Sequence, residues 1–297
     1  MKVDVVIVNY NTKELLKDCL ESIYRQKWQH DYTVWVVDNA SSDGSVEMVR
    51  KRYKQVKIVE AGMNLGFSRG NNVVLDQTKA DYCLLLNSDT MVLEGSLDGL
   101  VDFAKGSQYR IVSCSLANAD GSFQPNAGDR PTLLSIFDWL SGLDDLVRWL
   151  GVVIPSFHQS DRRYYSKDRE VGWVSGSVML IKASVIQRIG GLDQNIFMYV
   201  EDVEYCVRAA KSGFKVGWTN NASIIHLGGA SSQDPHFNQW LGEIRGLLYL
   251  AKKNGSVYFY WLLKLMFYVF LSGRVVAFWL LGRRQVARTY VKVISAI

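Results

Sequence analysis

Cysteine is scarce in this chain, and its cysteines do not form a pattern that a chemical site uses. The 297-residue sequence holds four, Cys19, Cys83, Cys114 and Cys206, which are far apart and lie within apolar segments. No C-x-x-C pair occurs, so the usual zinc and dithiol spacings are excluded. A disulfide framework would need paired cysteines in loops, so these residues are expected to be reduced core residues of a cytosolic protein.

Glycine motifs for phosphate binding are also missing. The phosphate loop G-x-x-x-x-G-K-[ST] does not occur, and the turn at residues 9–12, after the first predicted strand, reads NYNT without a glycine. A phosphate-loop NTPase and a dinucleotide-binding fold are therefore disfavoured. A sugar-1-phosphate nucleotidyltransferase is disfavoured for the same reason, because it would be expected to carry a glycine-rich loop at this position.

Acidic side chains are absent from residue 252 onward, where the sequence has eight Lys or Arg. Residues 258–281 are nearly all apolar, but Lys264 and Arg274 interrupt them. A spanning helix needs about 20 apolar residues, so an interfacial helix on anionic lipid is predicted, with Arg283, Arg284 and Arg288 joining the two internal cations. A buried or oligomerising helix is the alternative. No secretory signal is recognised at the N-terminus, and the main part of the chain is expected on the cytoplasmic side.

Strand and helix patterns alternate through the first half of the chain. Apolar runs at residues 3–8, 33–37, 56–59 and 82–86 are predicted strands, and a helical pattern follows each of the first three. This βαβ spacing predicts an α/β fold with a mostly parallel central sheet flanked by helices. With 48% hydrophobic residues, the chain can bury a large core in one or two globular domains.

Two carboxylates come at the ends of predicted strands. The run 82–86, typical of a strand covered on both faces, is followed by Asn87, Ser88 and Asp89, and the run 33–37 is followed by Asp38. Strand ends line the ligand crevice of open α/β sheets, so these acids predict a site for a metal or a phosphate ester. Mg²⁺ and Mn²⁺ prefer oxygen ligands and bridge diphosphate oxygens. The alternative is that residues 87–89 only form a turn and cap the next helix.

The second half holds a further acid pair and a histidine. Apolar residues at i, i+3, i+4 and i+7 from Val203 predict a helix that starts at Glu201 and Asp202 and stops at Gly213. These acids could serve a site or only match the helix dipole. His226 follows another predicted strand, and a lone histidine there is more often structural than a ligand.

Two other segments of the second half have an open interpretation. Residues 133–152 are crowded with apolar side chains and form either a pair of core helices or a surface for a lipid-like acceptor. Residues 156–170 are charged and non-periodic, and they are expected to form a mobile loop near the site.

Six segments occur together in a specific order: VIVNYNTKELLKDCLESI, VVDNASSDGS, NLGFSRGNN, LLLNSDT, VSGSVMLIKASVIQRIGGLDQNIFMYVEDVEYCVRAAKSG and IIHLGGAS. Over about residues 3–232 they resemble the family 2 glycosyltransferases, and most of all the bacterial rhamnosyltransferase branch, with the galactofuranosyltransferases similar in the second half. The resemblance implies an inverting enzyme with the GT-A fold, which binds a nucleotide-diphospho-sugar.

The resemblance also assigns the donor site. It implies that Asp38 hydrogen-bonds the nucleobase and that Asn64, Gly66, Arg69 and Asn71 lie along the nucleotide and its diphosphate. The remaining residues that it places at the nucleotide are Val8, Asn9, Tyr10, Asn39, Asn87 and Ser88.

A metal site is implied at Asp89, which matches the last acid of the family's D-x-D motif. Asn87 stands where the first acid is expected, so a second protein ligand is needed. His226 matches a family histidine and would supply that ligand, which suits Mn²⁺ better than Mg²⁺. Asp202 matches the general base, with Glu201 as the second candidate. The residues placed at the acceptor are Trp173, Ser175, Gly176 and Tyr199.

The expected protein is therefore a peripheral membrane enzyme that transfers a sugar, with dTDP-L-rhamnose the best guess for the donor. UDP-dependent hexosyl, N-acetylhexosaminyl or galactofuranosyl transfer is the alternative. The expected acceptor is a lipid-linked or polysaccharide glycan, with no nucleic-acid partner and a homo-oligomer possible through the C-terminal helices. Residues 1–117 would form the nucleotide-sugar half, 118–250 the acceptor half and 251–297 the membrane-associating helices. A non-catalytic nucleotide-sugar-binding scaffold is the third hypothesis.

Overall fold

The computed structural model describes residues 1–228, 235–255 and 257–297. The first half alternates strands and helices as its sequence pattern predicts. In chain order its elements are β1 (Lys2–Asn9), α1 (Lys13–Tyr24), β2 (Asp31–Asp38), α2 (Ser45–Arg52), β3 (Lys57–Glu60), α3 (Gly66–Leu75), β4 (Tyr82–Leu86), β5 (Thr90–Val92), α4 (Ser96–Gly106) and β6 (Tyr109–Ala117).

The second half begins with short strands and ends in long helices. Its elements are β7 (Phe123–Gln124), β8 (Ala127–Gly128), α5 (Leu133–Ser141), α6 (Leu143–Arg148), β9 (Arg169–Val171), β10 (Trp173–Val174), β11 (Val178–Lys182), α7 (Ala183–Ile189), α8 (Glu201–Lys211), β12 (Lys215–His226), α9 (Pro235–Asn254), α10 (Val257–Leu280) and α11 (Arg284–Ala296). The predicted helix at residues 201–213 is confirmed as α8.

The central sheet has the strand order β3-β2-β1-β4-β11-β6-β12-β5. Its first four strands are parallel, which confirms the βαβ prediction for this part. The sheet as a whole is mixed rather than mostly parallel, because β11 runs antiparallel to both β4 and β6. A run buried on both faces, such as VMLIK in β11, has the same pattern in either direction, so the sequence did not show this reversal.

The described chain divides into two compact units. Unit one comprises Met1–Gly128, His158–Phe197 and Glu201–Ser231, and unit two comprises Asp129–Phe157, Met198–Val200 and Ser232–Ile297. The core of unit one lies between the sheet and helices such as α1, which buries Leu16, Cys19, Leu20 and Ile23 as its spacing predicts. All four cysteines are buried and free, which confirms that they are unpaired core residues.

The charged segment at residues 156–170 is anchored rather than the expected mobile loop. Tyr165 is buried, and its hydroxyl lies 2.8 Å from the carbonyl oxygens of both Ala127 and Gln159, either of which can accept its hydrogen. Aromatic side chains between the charged residues hold the segment in place. The prediction of a mobile loop considered the charges and not these aromatic residues.

Unit two is helical. Helix α10 packs against α5, α9 and α11 and buries Leu263, Phe267 and Leu271, at i, i+4 and i+8. Arg274, expected at lipid, donates a hydrogen bond of 3.0 Å to the carbonyl oxygen of Leu140 at the end of α5. Among the described residues, α10 is the one helix long and apolar enough to cross a membrane, and 17% of its most apolar window is buried.

Residues 133–152 are partly core and partly surface. Ile136 and Leu140 of α5 are buried, as a pair of core helices would require. The large apolar side chains that stay exposed in this segment include Leu134, Phe137, Leu146, Trp149 and Leu150, with Trp149 77% exposed.

Candidate active site

The ends of β1, β2 and β4 are joined by a chain of hydrogen bonds. The Asn9 side-chain amide donates to Asp38 at 2.9 Å and to Ser41 at 3.0 Å. The Thr12 hydroxyl donates to Oδ1 of the Asn9 side chain at 2.7 Å and lies 3.0 Å from the Ser88 hydroxyl. Parallel pairing sets Asn9 level with Asp38, so the polar residues that follow each strand meet at one edge of the sheet, as predicted.

A glycine loop lies beside this edge. The Asn39 amide nitrogen donates to the Gly66 carbonyl at 3.1 Å and to Asn64 Oδ1 at 3.3 Å, and Asn64 Oδ1 also accepts from the Gly66 N–H at 3.0 Å. Gly66 has φ +74°, and a Cβ there would come within 2.6 Å of Phe197. Only glycine fits this position, so the close approach of Phe197 to the start of α3 requires a glycine there.

Three buried polar atoms in this region have no hydrogen-bond partner within the described residues: Asn39 Oδ1, Ser68 Oγ and Asn71 Oδ1. An unsatisfied buried polar atom costs about 1–3 kcal/mol, so native proteins retain few of them. The family resemblance assigns two of these residues, Asn39 and Asn71, to the nucleotide, and their unpartnered oxygens could bind a polar ligand.

The other predicted nucleotide residues differ in exposure. Val8 packs beneath α3, where a Cβ on Gly70 would lie 3.0 Å from its methyl groups. Tyr10 is 47% exposed at the turn after β1. Arg69 is held at the surface by a hydrogen bond of 3.3 Å from its Nε to the Gln194 carbonyl. Tyr10 and Arg69 therefore present side chains that a ligand can reach.

Asp89 and His226 are brought together by the sheet. Strands β5 and β12 pair with His226 opposite Thr90, so the His226 Nε2 lies 3.3 Å from Asp89 Oδ1. The Asn87 amide nitrogen lies 3.3 Å from the same Nε2. The IIHLGGAS motif that carries His226 continues into residues 229–231, which lie outside the described residues. The alternative that residues 87–89 cap a helix is wrong, because β5 follows directly and α4 has Gly95 at its N-cap without a side-chain cap.

This pair fits a divalent metal ion in its donor chemistry. A carboxylate oxygen and an imidazole nitrogen are both ligands of Mn²⁺, and neighbouring ligands at about 2.1 Å from an octahedral ion are about 3 Å apart, close to the observed 3.3 Å. No group of three or more His, Cys, Asp or Glu able to hold a metal occurs in the part of the chain that the structure describes.

The acid pair stands at the start of α8. Asp202 accepts hydrogen bonds from the N–H groups of Gly176 and Val203, each at 2.8 Å. Glu201 is buried, and its Oε2 has no hydrogen-bond partner among the described residues. The residue before the pair, Val200, has φ +71°, which is unusual for a β-branched side chain and marks a strained backbone of the kind found at functional sites.

The two carboxyl groups differ in their readiness to ionise. Burial raises the pKa of Glu201 well above its ordinary value, and the neighbouring Asp202 charge adds to this. Burial also raises the pKa of Asp202, but the N–H groups of Gly176 and Val203 and the nearby His158 act in the opposite direction. The two N–H groups therefore favour the charged form of Asp202 over that of Glu201.

The predicted acceptor residues are only partly accessible. Trp173 is 4% exposed, and its ring meets His158 edge-on with centroids 5.0 Å apart. Ser175 is half-buried, with its hydroxyl 3.0 Å from that of Ser177, and Gly176 holds Asp202. Tyr199, in unit two, packs against Gly242 of α9, where a Cβ would lie 2.5 Å from its ring.

Sequence reasoning missed three residues of this site. His158 lowers the pKa of Asp202 by its charge, but it lies in a non-periodic segment. Gln124, in the two-residue strand β7, contacts His226. Asn72 makes two hydrogen bonds of 2.8 Å with the backbone of Leu192. Its neighbours Arg69 and Asn71 are among the predicted site residues, but Asn72 is not. Only Asn72 had a usable signal in the sequence, because it is the last residue of the motif NLGFSRGNN.

Solved structures share this fold. The mannosyltransferase PcManGT from Pyrobaculum calidifontis, determined with GDP-Man and Mn²⁺, has a TM-score of 0.61 and 15% identity over 99% of this chain and 83% of that chain. Staphylococcus aureus TarS 1–349 with UDP has a TM-score of 0.55 and 16% identity, over 86% and 67% of the two chains. The predicted GT-A fold is thereby confirmed.

Proteins similar in sequence include two rhamnosyltransferases. The N-acetylglucosaminyl-diphospho-decaprenol L-rhamnosyltransferase of Mycobacterium tuberculosis is 28% identical over 238 residues, 75% of each chain. Rhamnosyltransferase WbbL of Escherichia coli K12 is 25% identical over 232 residues, 75% of this chain and 82% of its own. The model of glycosyl transferase family 2 matches residues 4–190, which contain the strand-end network, the glycine loop and Asp89. Since this match spans more than half of a chain that also has the GT-A fold, the protein belongs to glycosyl transferase family 2.

Proposed function

We propose that this protein is an inverting, metal-dependent glycosyltransferase that moves a sugar from a nucleotide-diphospho-sugar to a hydroxyl group of a glycan. The observation that carries the proposal is the carboxylate of Asp202, which two backbone N–H groups hold at the start of α8. Unit one places it in the same compact body as the strand-end network and the Asp89–His226 pair.

In the proposed reaction, Asp202 accepts the proton of the acceptor hydroxyl as its oxygen attacks the anomeric carbon. The attack comes from the side opposite the nucleoside diphosphate, and one displacement inverts the anomeric centre. Asp38 and the loop around Gly66 would hold the nucleotide, and Asn87 and Ser88 would lie near its phosphates. Asp89 and His226 would hold a Mn²⁺ or Mg²⁺ ion, which supplies charge neutralisation at the leaving group.

The best candidate donor is dTDP-L-rhamnose. The rhamnosyltransferases among the relatives support it, at 25–28% identity. The alternative is a UDP-linked hexosyl, N-acetylhexosaminyl or galactofuranosyl donor. Titration of dTDP, UDP and GDP into the protein discriminates between them, because a clear preference for UDP would reject the rhamnosyl assignment.

We propose a lipid-linked or polysaccharide acceptor used in bacterial surface polysaccharide synthesis, such as O-antigen, capsule or cell wall. The M. tuberculosis relative is named for an acceptor on a decaprenyl diphosphate, and the exposed apolar residues of unit two would suit such a lipid. The protein would lie peripherally on the cytoplasmic face of the membrane. Within the chain, residues 1–117 would bind the donor, 118–250 the acceptor and 251–297 the membrane surface.

The test is sugar transfer from a panel of nucleotide sugars to a lipid-linked acceptor, detected by mass spectrometry. We expect one sugar to be added with inversion, in a reaction that requires a divalent cation. Release of pyrophosphate from a nucleoside triphosphate and a sugar phosphate would instead indicate a nucleotidyltransferase. Binding of nucleotide sugar without any transfer would favour a non-catalytic scaffold.

A further inference from the structure

Gln124 makes three hydrogen bonds around His226. Its Oε1 lies 2.7 Å from His226 Nδ1, and its Nε2 donates to the His226 carbonyl oxygen at 3.3 Å and to Asn118 Oδ1 at 2.8 Å. A backbone carbonyl can only accept a hydrogen bond, so the amide nitrogen of Gln124 must face it. The amide oxygen is therefore the atom that meets the imidazole.

This orientation fixes the tautomer of His226. Because Gln124 Oε1 can only accept, Nδ1 must carry a hydrogen, and the neutral ring then has its lone pair on Nε2. That lone pair lies 3.3 Å from Asp89 Oδ1, which is also an acceptor. In the metal-free protein the Asn87 amide nitrogen, 3.3 Å from the same Nε2, can donate to this lone pair, and a cation held by Nε2 and Asp89 would take the place of that donor.

We propose that Gln124 is a positioning residue that holds the His226 ring and its tautomer so that Nε2 faces Asp89 as a metal donor. This rests on the proposed metal-dependent transfer. Metal-binding histidines generally donate their second ring N–H to a carbonyl or carboxylate, and loss of such a partner weakens metal affinity by about 10- to 100-fold. Gln124 lies on β7, which pairs with β6. It therefore holds the His226 ring from a strand that carries neither of the two proposed metal ligands.

The first test reads the tautomer in the wild-type protein. The sequence has four histidines, so ¹⁵N-edited imidazole spectra can be assigned by comparison with His226→Ala. At alkaline pH, where imidazole is neutral, we expect the hydrogen of His226 on Nδ1. A hydrogen on Nε2 would overturn the proposal whether or not the protein transfers a sugar.

The second test measures Mn²⁺ binding by electron paramagnetic resonance in the presence of dTDP. Gln124→Leu, which cannot accept from Nδ1, should weaken Mn²⁺ binding by about 10- to 100-fold. Gln124→Glu keeps an acceptor and should stay within about threefold of the wild type. Gln77→Leu, the same substitution at an exposed glutamine that follows α3, is the control and should be unchanged.

The outcomes separate this proposal from the proposed function. Wild-type affinity in Gln124→Leu, together with loss in His226→Ala, would reject the role of Gln124 and leave the metal site intact. Absence of Mn²⁺-dependent dTDP binding in the wild type would reject the metal site itself. Thermal unfolding of each variant shows whether it is folded. If Gln124→Leu does not fold, the tautomer of His226 in the wild-type protein decides whether the proposal stands.

Discussion

Asp202 and Glu201 are adjacent in sequence but have different surroundings. Two N–H groups stabilise the charged form of Asp202, whereas Glu201 is buried and one of its oxygens has no hydrogen-bond partner among the described residues. We therefore predict that Asp202→Asn lowers turnover by about 10²- to 10⁴-fold, the usual contribution of a general base, while nucleotide binding persists. Turnover and calorimetric titration measure the two effects. Glu201→Gln is the matched control, and near-wild-type turnover of folded Asp202→Asn would transfer the role of base to Glu201.

The raised pKa of Glu201 also predicts how stability depends on pH. Its protonated form is favoured in the folded protein, so this contribution is fully present below the ordinary pKa of 4.5 and is lost as pH rises through the higher folded pKa. Glu201→Gln stays neutral, so the stability of this variant relative to wild type should increase from acidic to alkaline pH. Urea unfolding across that range measures it. Parallel curves for the two proteins would contradict the raised pKa.

The Asp89–His226 pair predicts an effect of metal removal. Asp89→Ala and His226→Ala should each weaken nucleoside-diphosphate binding with Mn²⁺ present, because each removes one of the two proposed metal donors. With EDTA the variants and the wild type should bind equally. Calorimetric titration under both conditions is the measurement. An equal loss with Mn²⁺ and with EDTA would show that the two side chains act structurally.

At the scale of elements, the loop before α3 depends on a glycine. Gly66→Ala should lower both stability and nucleotide affinity, because the new Cβ would meet the Phe197 ring and carbonyl at 2.6 Å. Gly62→Ala is a matched control: its φ is +71°, but no atom of the described residues lies within 4 Å of the added Cβ. Both variants pay about 1–2 kcal/mol for the left-handed backbone, so a further loss in Gly66→Ala isolates the contact with Phe197. Equal unfolding midpoints in the two variants would contradict this.

At the scale of the whole molecule, unit two carries exposed apolar side chains and a sequence without acids from residue 252 onward. Truncation before α10 would remove the buried residues Leu263, Phe267 and Leu271, so surface substitutions test membrane binding more sharply.

Replacing Trp261, Leu265 and Trp279 with Gln should weaken binding to anionic vesicles by more than about tenfold, because burying such side chains contributes about 1.5–3 kcal/mol each. These residues are 59%, 58% and 61% exposed. Vesicle co-sedimentation is the measurement, and Met63→Gln, at a 62% exposed position in unit one, is the control. Unchanged vesicle binding, with loss of a dimer in analytical ultracentrifugation, would favour the oligomerising alternative.

The sequence alone determined the βαβ half, the strand ends at Asp38 and Asp89, and the start of α8 at Glu201, because apolar periodicity and strand termination are local properties. Its motifs also identified the family. The tertiary structure decided the direction of β11, the joining of residues 129–157 with the C-terminal helices, and the contacts of His158 and Gln124. The Asp89–His226 distance also belongs to this second group, since it results from the pairing of β5 with β12. Periodicity states which face of a strand is buried, but strand partners are chosen by packing between segments far apart in the chain.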